Sequence, residues 1–591
     1  MEQKKEGNLG QSSCCTDTDE QNSYSEENKN VIGKKVVMVM PTFWDVIAPP
    51  VGVISLKSYL QQYGHKVRAI NLNEYSQVFN TQKEYFGAIG KYVPYRGLIP
   101  RLGSELLGFH MNAAVFKDDL PNDYEEYAEL LLRDHFQIFL EKVSKEDVIL
   151  LVRELNKILE LHFEHLKELV PMIISTNPEY VGFTVLSSTL GTALFLGREI
   201  KKQSPKVKVL LGGPGPYNGF DAHSPNMERL IAKCPFIDKI FFGEGEEVFR
   251  KYLEEGHEGK KNIMAAELGI KKMDMDTLPT LDFSDLNLEK YFHLGIGASR
   301  GCSFLCSFCS ETKLWTVFRR SSPQITIKHI ESMIKRYGIN KFFFTDALYN
   351  HSLTPFIKLL LEKNINIEFD CYLRVDTNGE KQEMTDMWAK GGLHRVRIGM
   401  ESSSPHVLKV MQKGVTVEQQ SNALKCLSRS GIRTSTYWIA GHPGEDEENF
   451  QETLDFIVKH KKYLYEVDLA VFYFYGEGEL GKDAFVEGSG GLVERWDEKY
   501  LPLSIFKYFK LKSPKPTRQE AYDRAIKFVQ TMEREGIPCN RSSAFDYIRA
   551  ERRWKLLVDE HNQQRILEIN PPEPIVQEIV QKSIVLPATS S

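Results

Sequence analysis

The apolar positions fall into two stretches of short strand-like runs alternating with helical spacing, joined by a polar linker. In the first stretch the runs are Lys35–Met40, Lys66–Leu72, Tyr180–Leu186, Val207–Gly213 and Lys239–Gly245. Continuous apolar runs of this length are those of buried parallel strands. Helical spacing separates them, through Leu56, Tyr59 and Leu60 up to Gly64 and again near Thr192–Lys202. The alternation predicts a doubly wound α/β domain over residues 35–273. Long helical periodicity over about 105–175 (Leu130, Phe139, Leu155, Leu159) predicts a helical insertion in it. After a linker at 274–288, residues 289–476 offer six more strand candidates: Phe292–Ala298, Lys341–Thr345, Ile367–Leu373, Arg395–Gly399, Thr434–Ala440 and Leu469–Tyr475. Helical stretches separate most of them, which predicts a partial (βα)6 barrel with its chemistry at the carboxyl ends of the strands. From 477 to 591 the pattern loosens, and two helices near Arg518–Gly536 and Tyr547–Asn562 predict a mainly helical cap.

Composition narrows the class. A chain of 591 residues exceeds one ordinary core. Hydrophobic content of 42% with 26% charged residues is that of a globular protein, and a net charge of −5 gives no footing for nucleic acid. No apolar run approaches the ~20 residues of a membrane-spanning helix. Residues 1–34 are polar and lack the apolar core of a signal peptide, so they read as a disordered leader. Nine cysteines, three clustered and the rest scattered, fit a reducing cytoplasm.

The clustered three carry the candidate chemistry. Cys302, Cys306 and Cys309 form a CxxxCxxC loop directly after the first strand of the second region. Iron–sulfur clusters normally take four cysteines. Three thiolates on one short loop can hold three irons of a 4Fe–4S cube and leave the fourth open to an external ligand. A structural zinc site, a disulfide and plain core cysteines are the alternatives. Zinc wants a fourth Cys or His close by, whereas the next candidates are His329 and Cys371. A disulfide would leave an odd thiol.

With its aromatic Phe308, this loop resembles the signature of radical S-adenosylmethionine (SAM) enzymes carrying an N-terminal cobalamin-binding domain. Gly399-Met400-Glu401-Ser402-Ser403-Ser404, Met411-Gln412-Lys413-Gly414 and Gly441-His442-Pro443-Gly444-Glu445 support the resemblance, which spans about 35–475. It implies a 4Fe–4S cluster on the three cysteines, with SAM chelated to the open iron and cleaved to a 5′-deoxyadenosyl radical. It also implies SAM contacts at Phe308, Glu401 and Ser402 and at the Gly441/Pro443 turn, with Asp346 and Arg374 as further contacts for SAM or substrate. A strand-end Asp is often a helix cap, and an Arg is often a surface ion pair.

In the first region the resemblance implies a flavodoxin-like cobalamin-binding fold. Its contacts would be Pro50, Gly52, Ser187, Ser188, Gly212, Gly213, Gly243 and Gly245, although each glycine also suits an ordinary tight turn. The DxHxxG motif that supplies a cobalt ligand in many cobalamin proteins is absent, and His65 and His110 do not stand in for it. Gly476–Leu480 replaces the family's usual turn after the sixth strand. The implied activity is methyl transfer to a poorly activated carbon, with a reducing partner such as a flavodoxin or ferredoxin. A radical SAM cyclase or rearrangement enzyme, a domain that no longer uses cobalamin, and a non-catalytic iron–sulfur redox sensor are the rivals. Small molecules, peptides, lipids and tetrapyrroles all stay open as substrates.

Overall fold

A computed structural model describes residues 33–43, 48–92, 99–116, 143–186, 188–213, 225–257, 259–309, 317–472, 515–539 and 544–569, with short pieces between. The first region runs β1 (Lys35–Met40), α1 (Val51–Gln62), β2 (Lys66–Asn71), α2 (Ser76–Ile89), α3 (Ile99–Val115), α4 (Lys145–Ile174), β3 (Tyr180–Thr184), α5 (Leu190–Gln203), β4 (Lys208–Gly212), α6 (Pro225–Lys233), β5 (Lys239–Phe242), α7 (Gly245–Glu255) and β6 (Asn262–Met264). All six strands are parallel, in the order β2-β1-β3-β4-β5-β6. The chain reverses direction between β1 and β3, and that switch point is where open α/β sheets bind ligands. β1 is apolar after Lys35, as a central strand covered on both faces must be; Val36 to Met40 are all buried. Helices α2 to α4 lie between β2 and β3, so the helical insertion begins before residue 105.

The linker is built into the fold rather than draped over it. Lys57 of α1, 1% exposed at its side chain, pairs with Asp282 at 3.1 Å and Asp285 at 2.8 Å. Phe283 is fully buried and meets Tyr337 edge-on.

The second region continues with β7 (Leu294–Ile296), β8 (Ser299–Arg300), β9 (Arg319–Arg320), α8 (Pro323–Tyr337), β10 (Lys341–Phe344), α9 (Asn350–Glu362), β11 (Glu368–Leu373), α10 (Gln382–Lys390), β12 (Leu393–Glu401), α11 (Pro405–Val410), α12 (Val417–Arg429), β13 (Arg433–Ala440), α13 (Glu447–Lys459) and β14 (Glu466–Val471). Its six-stranded parallel sheet has the order β14-β13-β12-β11-β10-β7, a barrel left open between β7 and β14. Burial alternates along β12: Val396, Ile398 and Met400 are enclosed under the helices, while Arg395, Arg397, Gly399 and Glu401 are partly exposed on the other face. Side chains two apart share a face, so this second set lines the barrel lumen. Phe344, Phe356 and Phe369 pack edge-on between sheet and helix. Each such ring contributes about 1.5–3 kcal/mol by leaving water.

The C-terminal helices α14 (Arg518–Arg534) and α15 (Ala544–Ile569) pack on the barrel. The buried Trp554 of α15 meets Tyr465 edge-on, and Glu551 accepts from Arg433 at 2.8 and 3.0 Å. Tyr473–Tyr475 and Gly476–Leu480 lie outside the described residues, as do nearly all of the N-terminal 34.

Candidate active site

The cysteine loop is pinched off by a two-residue ribbon. β8 and β9 pair antiparallel on either side of it, and Gly301 opens it at φ +85°. A side chain at Gly301 would come within 3.1 Å of Trp315 Cβ and the Val317 carbonyl, so the turn admits glycine alone. The loop rests on the end of α11: the Ser307 N–H donates to the Met411 carbonyl at 3.0 Å and its hydroxyl to that of Val410 at 3.2 Å. Cys302, Cys306 and Cys309 are partly buried free thiols on this loop. Burial pushes the Cys309 thiol up to about 11 and that of Cys302 in the same direction. Both are protonated when free, so binding metal releases their protons. Among the described residues no three His, Cys, Asp or Glu side chains gather around a point that one metal ion would occupy. Three thiols on one loop, with the next described cysteine (Cys371) fully buried, fit a cube held by three ligands.

Two strand ends bring partners to the loop. Arg374, just past β11, donates to Cys306 Sγ at 3.3 Å and lies 4.0 Å above the Phe304 ring. Glu401, the last residue of β12, adopts φ +65°. Its Oε1 accepts from Lys413 Nζ at 3.1 Å, and the same ammonium stands 5.8 Å from the Phe308 ring centre. Phe308 in turn meets His442 edge-on at 6.2 Å. Phe308, Glu401, Lys413 and His442 therefore form one wall beside the cysteines. In the sequence Lys413 was named only within the Met411–Gly414 motif and given no role, although the charge of Glu401 at a lumen-facing strand end calls for a cation.

The remaining candidates are placed more deeply. Ser402 is buried, its hydroxyl hydrogen-bonded with that of Thr453 at 3.0 Å and accepting from Ser404 N–H at 3.1 Å. Asp346, 1% exposed, accepts from Ala298 N–H at 3.1 Å and so ties the end of β10 to the approach to the cysteine loop. Gly441 and Pro443 form a turn under α14. The Gly441 N–H donates to Glu445 Oε1 at 2.8 Å, and Arg524 of α14 pairs with that oxygen at 2.9 Å. His442, buried and pushed down to about 4 by desolvation, is a neutral ring whose Nδ1 lies 2.8 Å from the Pro443 carbonyl.

In the first region, Pro50 caps α1 and nothing lies within 4 Å of a side chain built at Gly52. The Ser188 hydroxyl donates to the Phe43 carbonyl at 3.3 Å, and Gly213 at φ +110° ends β4. Gly212 closes β4 itself, with Phe241 Cβ 3.7 Å from where its own would stand. Ser187 lies outside the described residues. At the switch point Thr42 hydrogen-bonds with His162 Nε2 at 3.2 Å and Thr192 at 2.9 Å, and the His162 ring stacks on Phe43. Among the described residues, His162 Nδ1 and both polar atoms of the Asn112 amide are buried without a partner. Orphaned polar groups beside a ligand crevice fit a large ligand rich in amides. His65 and His110 are structural: His65 Nδ1 accepts from Lys34 N–H at 3.2 Å, and His110 lies between Tyr85 and Asn156.

Gly243 and Gly245 lead somewhere the sequence did not indicate. The carboxylates between and after them, Glu244 and Glu246, reach across to the ribbon that flanks the cysteines. Arg300 Nη1 donates to Glu244 at 3.0 Å and to Glu246 at 3.2 Å, and Arg319 Nη1 donates to Glu244 at 2.9 Å. Burial pushes the Glu246 carboxyl up, but the Arg300 charge and hydrogen bond, a backbone N–H and the Ser55 hydroxyl together hold it below its ordinary range. Val51, the first residue of α1, also docks on β7: a side chain at Gly295 would come within 2.3 Å of Val51 Cγ2. The carboxyl ends of both sheets thus face one another.

Residues 296–457 match the model of the radical SAM superfamily. An uncharacterized methyltransferase of Pyrococcus horikoshii is 27% identical over 317 residues, 49% of this chain and 66% of that protein. The anaerobic magnesium-protoporphyrin IX monomethyl ester cyclase of Rubrivivax gelatinosus is 26% identical over 311 residues, 48% of this chain and 54% of that protein. The chain thus spans between half and two thirds of the length of these relatives. In fold it is similar to the radical SAM methyltransferase TsrM of Kitasatospora setae, solved with cobalamin and a 4Fe–4S cluster, at a TM-score of 0.55 and 14% identity, covering 90% of this chain and 100% of that one. Residues 296–457 thus match a radical SAM domain, and the chain as a whole is similar in fold to that cobalamin-bound methyltransferase.

Proposed function

We propose that this protein is a cobalamin-dependent radical SAM methyltransferase that methylates a poorly activated carbon of a small-molecule or peptide substrate. The observation that carries the reading is the mutual facing of the two sheets. The switch-point crevice of the first and the cysteine loop of the second open toward each other, held by Glu244 and Glu246 on Arg300 and Arg319. When bound, the cluster, SAM and cobalamin would together supply a hydrogen-abstracting radical and a transferable methyl group.

The chain's own residues would bind and orient them. Cys302, Cys306 and Cys309 would hold the cluster. Phe308, Glu401 and Lys413 would line the SAM side, with the Glu401–Lys413 pair offering both charges to a zwitterionic amino acid. Thr42, Ser188 and Asn112 would meet the polar periphery of cobalamin. The lumen-facing Tyr372, Arg397 and Tyr437 would border the substrate. Arg397 Nη1 donates to the Tyr437 hydroxyl at 3.3 Å, so these side chains already form one layer. An external low-potential protein would deliver electrons.

The test is transfer of label. Reconstituted protein given SAM with a deuterated methyl group is expected to yield product carrying deuterium, with 5′-deoxyadenosine formed alongside. Formation of 5′-deoxyadenosine without label in product would instead favour cyclisation, the chemistry in the name of the Rubrivivax relative.

A further inference from the structure

Arg374 carries a buried charge for which the protein supplies no counter-charge among the described residues. The residue is 9% exposed, on the lumen face two positions beyond Tyr372. Its backbone is gripped from both sides: the N–H donates to Asn350 Oδ1 and the carbonyl accepts from Asn350 Nδ2, each at 2.8 Å. Its guanidinium stacks on Phe304, and Nη1 meets Cys306 Sγ at 3.3 Å. On the far side Gly414, at φ +63°, leaves room for Nη2, which lies 3.4 Å from where a Cβ would stand. The other two lumen arginines differ. Arg395 pairs with Glu466, and Arg397 faces Asp370 at 3.4 Å. A buried cation without an anion is costly. The missing anion is the one that three thiolates and their cluster would provide.

We infer that Arg374 is a positioning residue that hydrogen-bonds a cluster-ligating thiolate through a fixed cation and so raises the reduction potential of the cluster. The inference rests on the proposed function, because it needs the cysteine loop to hold a cluster. Three thiolates on a doubly positive cube leave one net negative charge, and reduction adds a second. A cation this close stabilises the doubly negative state more, and hydrogen bonds to cluster sulfur act in the same direction. The planar fork suits the task better than an ammonium, since it stacks on Phe304 while one N–H points at sulfur.

The test compares anaerobically reconstituted full-length protein with its Arg374→Gln, Arg374→Lys and Phe304→Leu variants, using iron and sulfide content and an EPR-monitored redox titration. At the midpoint of the unaltered protein, Arg374→Gln is expected to lower the ratio of reduced to oxidised cluster at least tenfold with iron content unchanged. Arg374→Lys should recover part of that loss. Phe304→Leu, at a partly exposed ring, should shift the ratio the same way but less. A fully loaded Arg374→Gln with the original ratio would overturn the inference. If Arg374→Gln takes up no iron, an unchanged ratio in Phe304→Leu overturns it instead. Unaltered protein that takes up no cluster, or a cluster whose spectrum ignores added SAM, would overturn the proposed function itself, a distinguishable result.

Discussion

Asp346 shows what enclosure does to a carboxyl left without a cation. Oδ2 accepts from Ala298 N–H, Oδ1 has no partner among the described residues, and burial pushes the group up to about 7 against its few hydrogen bonds. In the unfolded chain such a group titrates near ~3.9. Between these values the folded protein holds a proton that the unfolded chain releases, so the contribution to stability is full below ~pH 4 and is lost as pH rises through about 7. Roughly three units correspond to a few kcal/mol, on the order of 4. Asp346→Asn keeps the shape and removes the titration. Thermal unfolding of the two proteins between pH 5 and 8 should give a flatter profile for the variant, and parallel profiles would refute the assignment. At this scale the sequence revealed what depends on spacing along the chain. The three cysteines were legible because their chemistry lies within eight residues. Lys413 and the Arg374–Cys306 contact were not, because the fold alone brings residue 413 back to 401 and residue 374 to 306.

Among the elements, the strand-end turns carry more structure than their motifs suggest. Gly441 sits at φ +83° with its α-carbon so close to α14 that a Cβ would stand 2.3 Å from that of Ala521. Both the left-handed backbone and the overlap oppose any side chain, and α14 also holds the turn through Arg524 and Glu445. Gly441→Ala should therefore cost about 2–4 kcal/mol, from the conformation together with overpacking. Denaturant unfolding would show a lower midpoint at unchanged slope, and an unaltered midpoint would mean that α14 is not seated there. Five strands of the first sheet and all six of the second were readable from their apolar runs. The β8–β9 ribbon was not: two residues per strand leave no period, and its pairing joins positions 299 and 320 across the cysteine loop. The three-residue β6 escaped for the same reason.

For the molecule as a whole, the question is what makes two domains act as one. Each sheet was legible by itself, but their docking was not, because Gly243-Glu244-Gly245-Glu246 reads equally well as a ligand-binding turn. In the fold its carboxylates serve the interface, with Arg300 between Glu244 and Glu246, Ser55 donating to Glu246 at 3.0 Å, and Arg300 also stacked 5.3 Å from Trp315. Glu246 is 4% exposed, so salt screens this contact little. Removing one member of a buried ionic cluster leaves a charge underpaired and costs about 3–5 kcal/mol. That loss falls on docking as well as on either core, since Glu246 lies on α7 of the first region and Arg300 on the β8–β9 ribbon of the second. Glu246→Gln should therefore loosen the joint before it melts a domain. Calorimetry is expected to resolve an earlier, separate transition where the unaltered protein shows coupled unfolding, and limited proteolysis should cut sooner within residues 259–290. Arg300→Lys, which keeps the charge but loses the fork, should fall between the two. Because Arg300 precedes Gly301 and Cys302, the same variants should also lose reconstituted iron faster to a chelator. A Glu246→Gln protein that melts, resists protease and retains iron like the original would show that the clamp does not couple the domains, and that Val51 against Gly295 suffices to hold them.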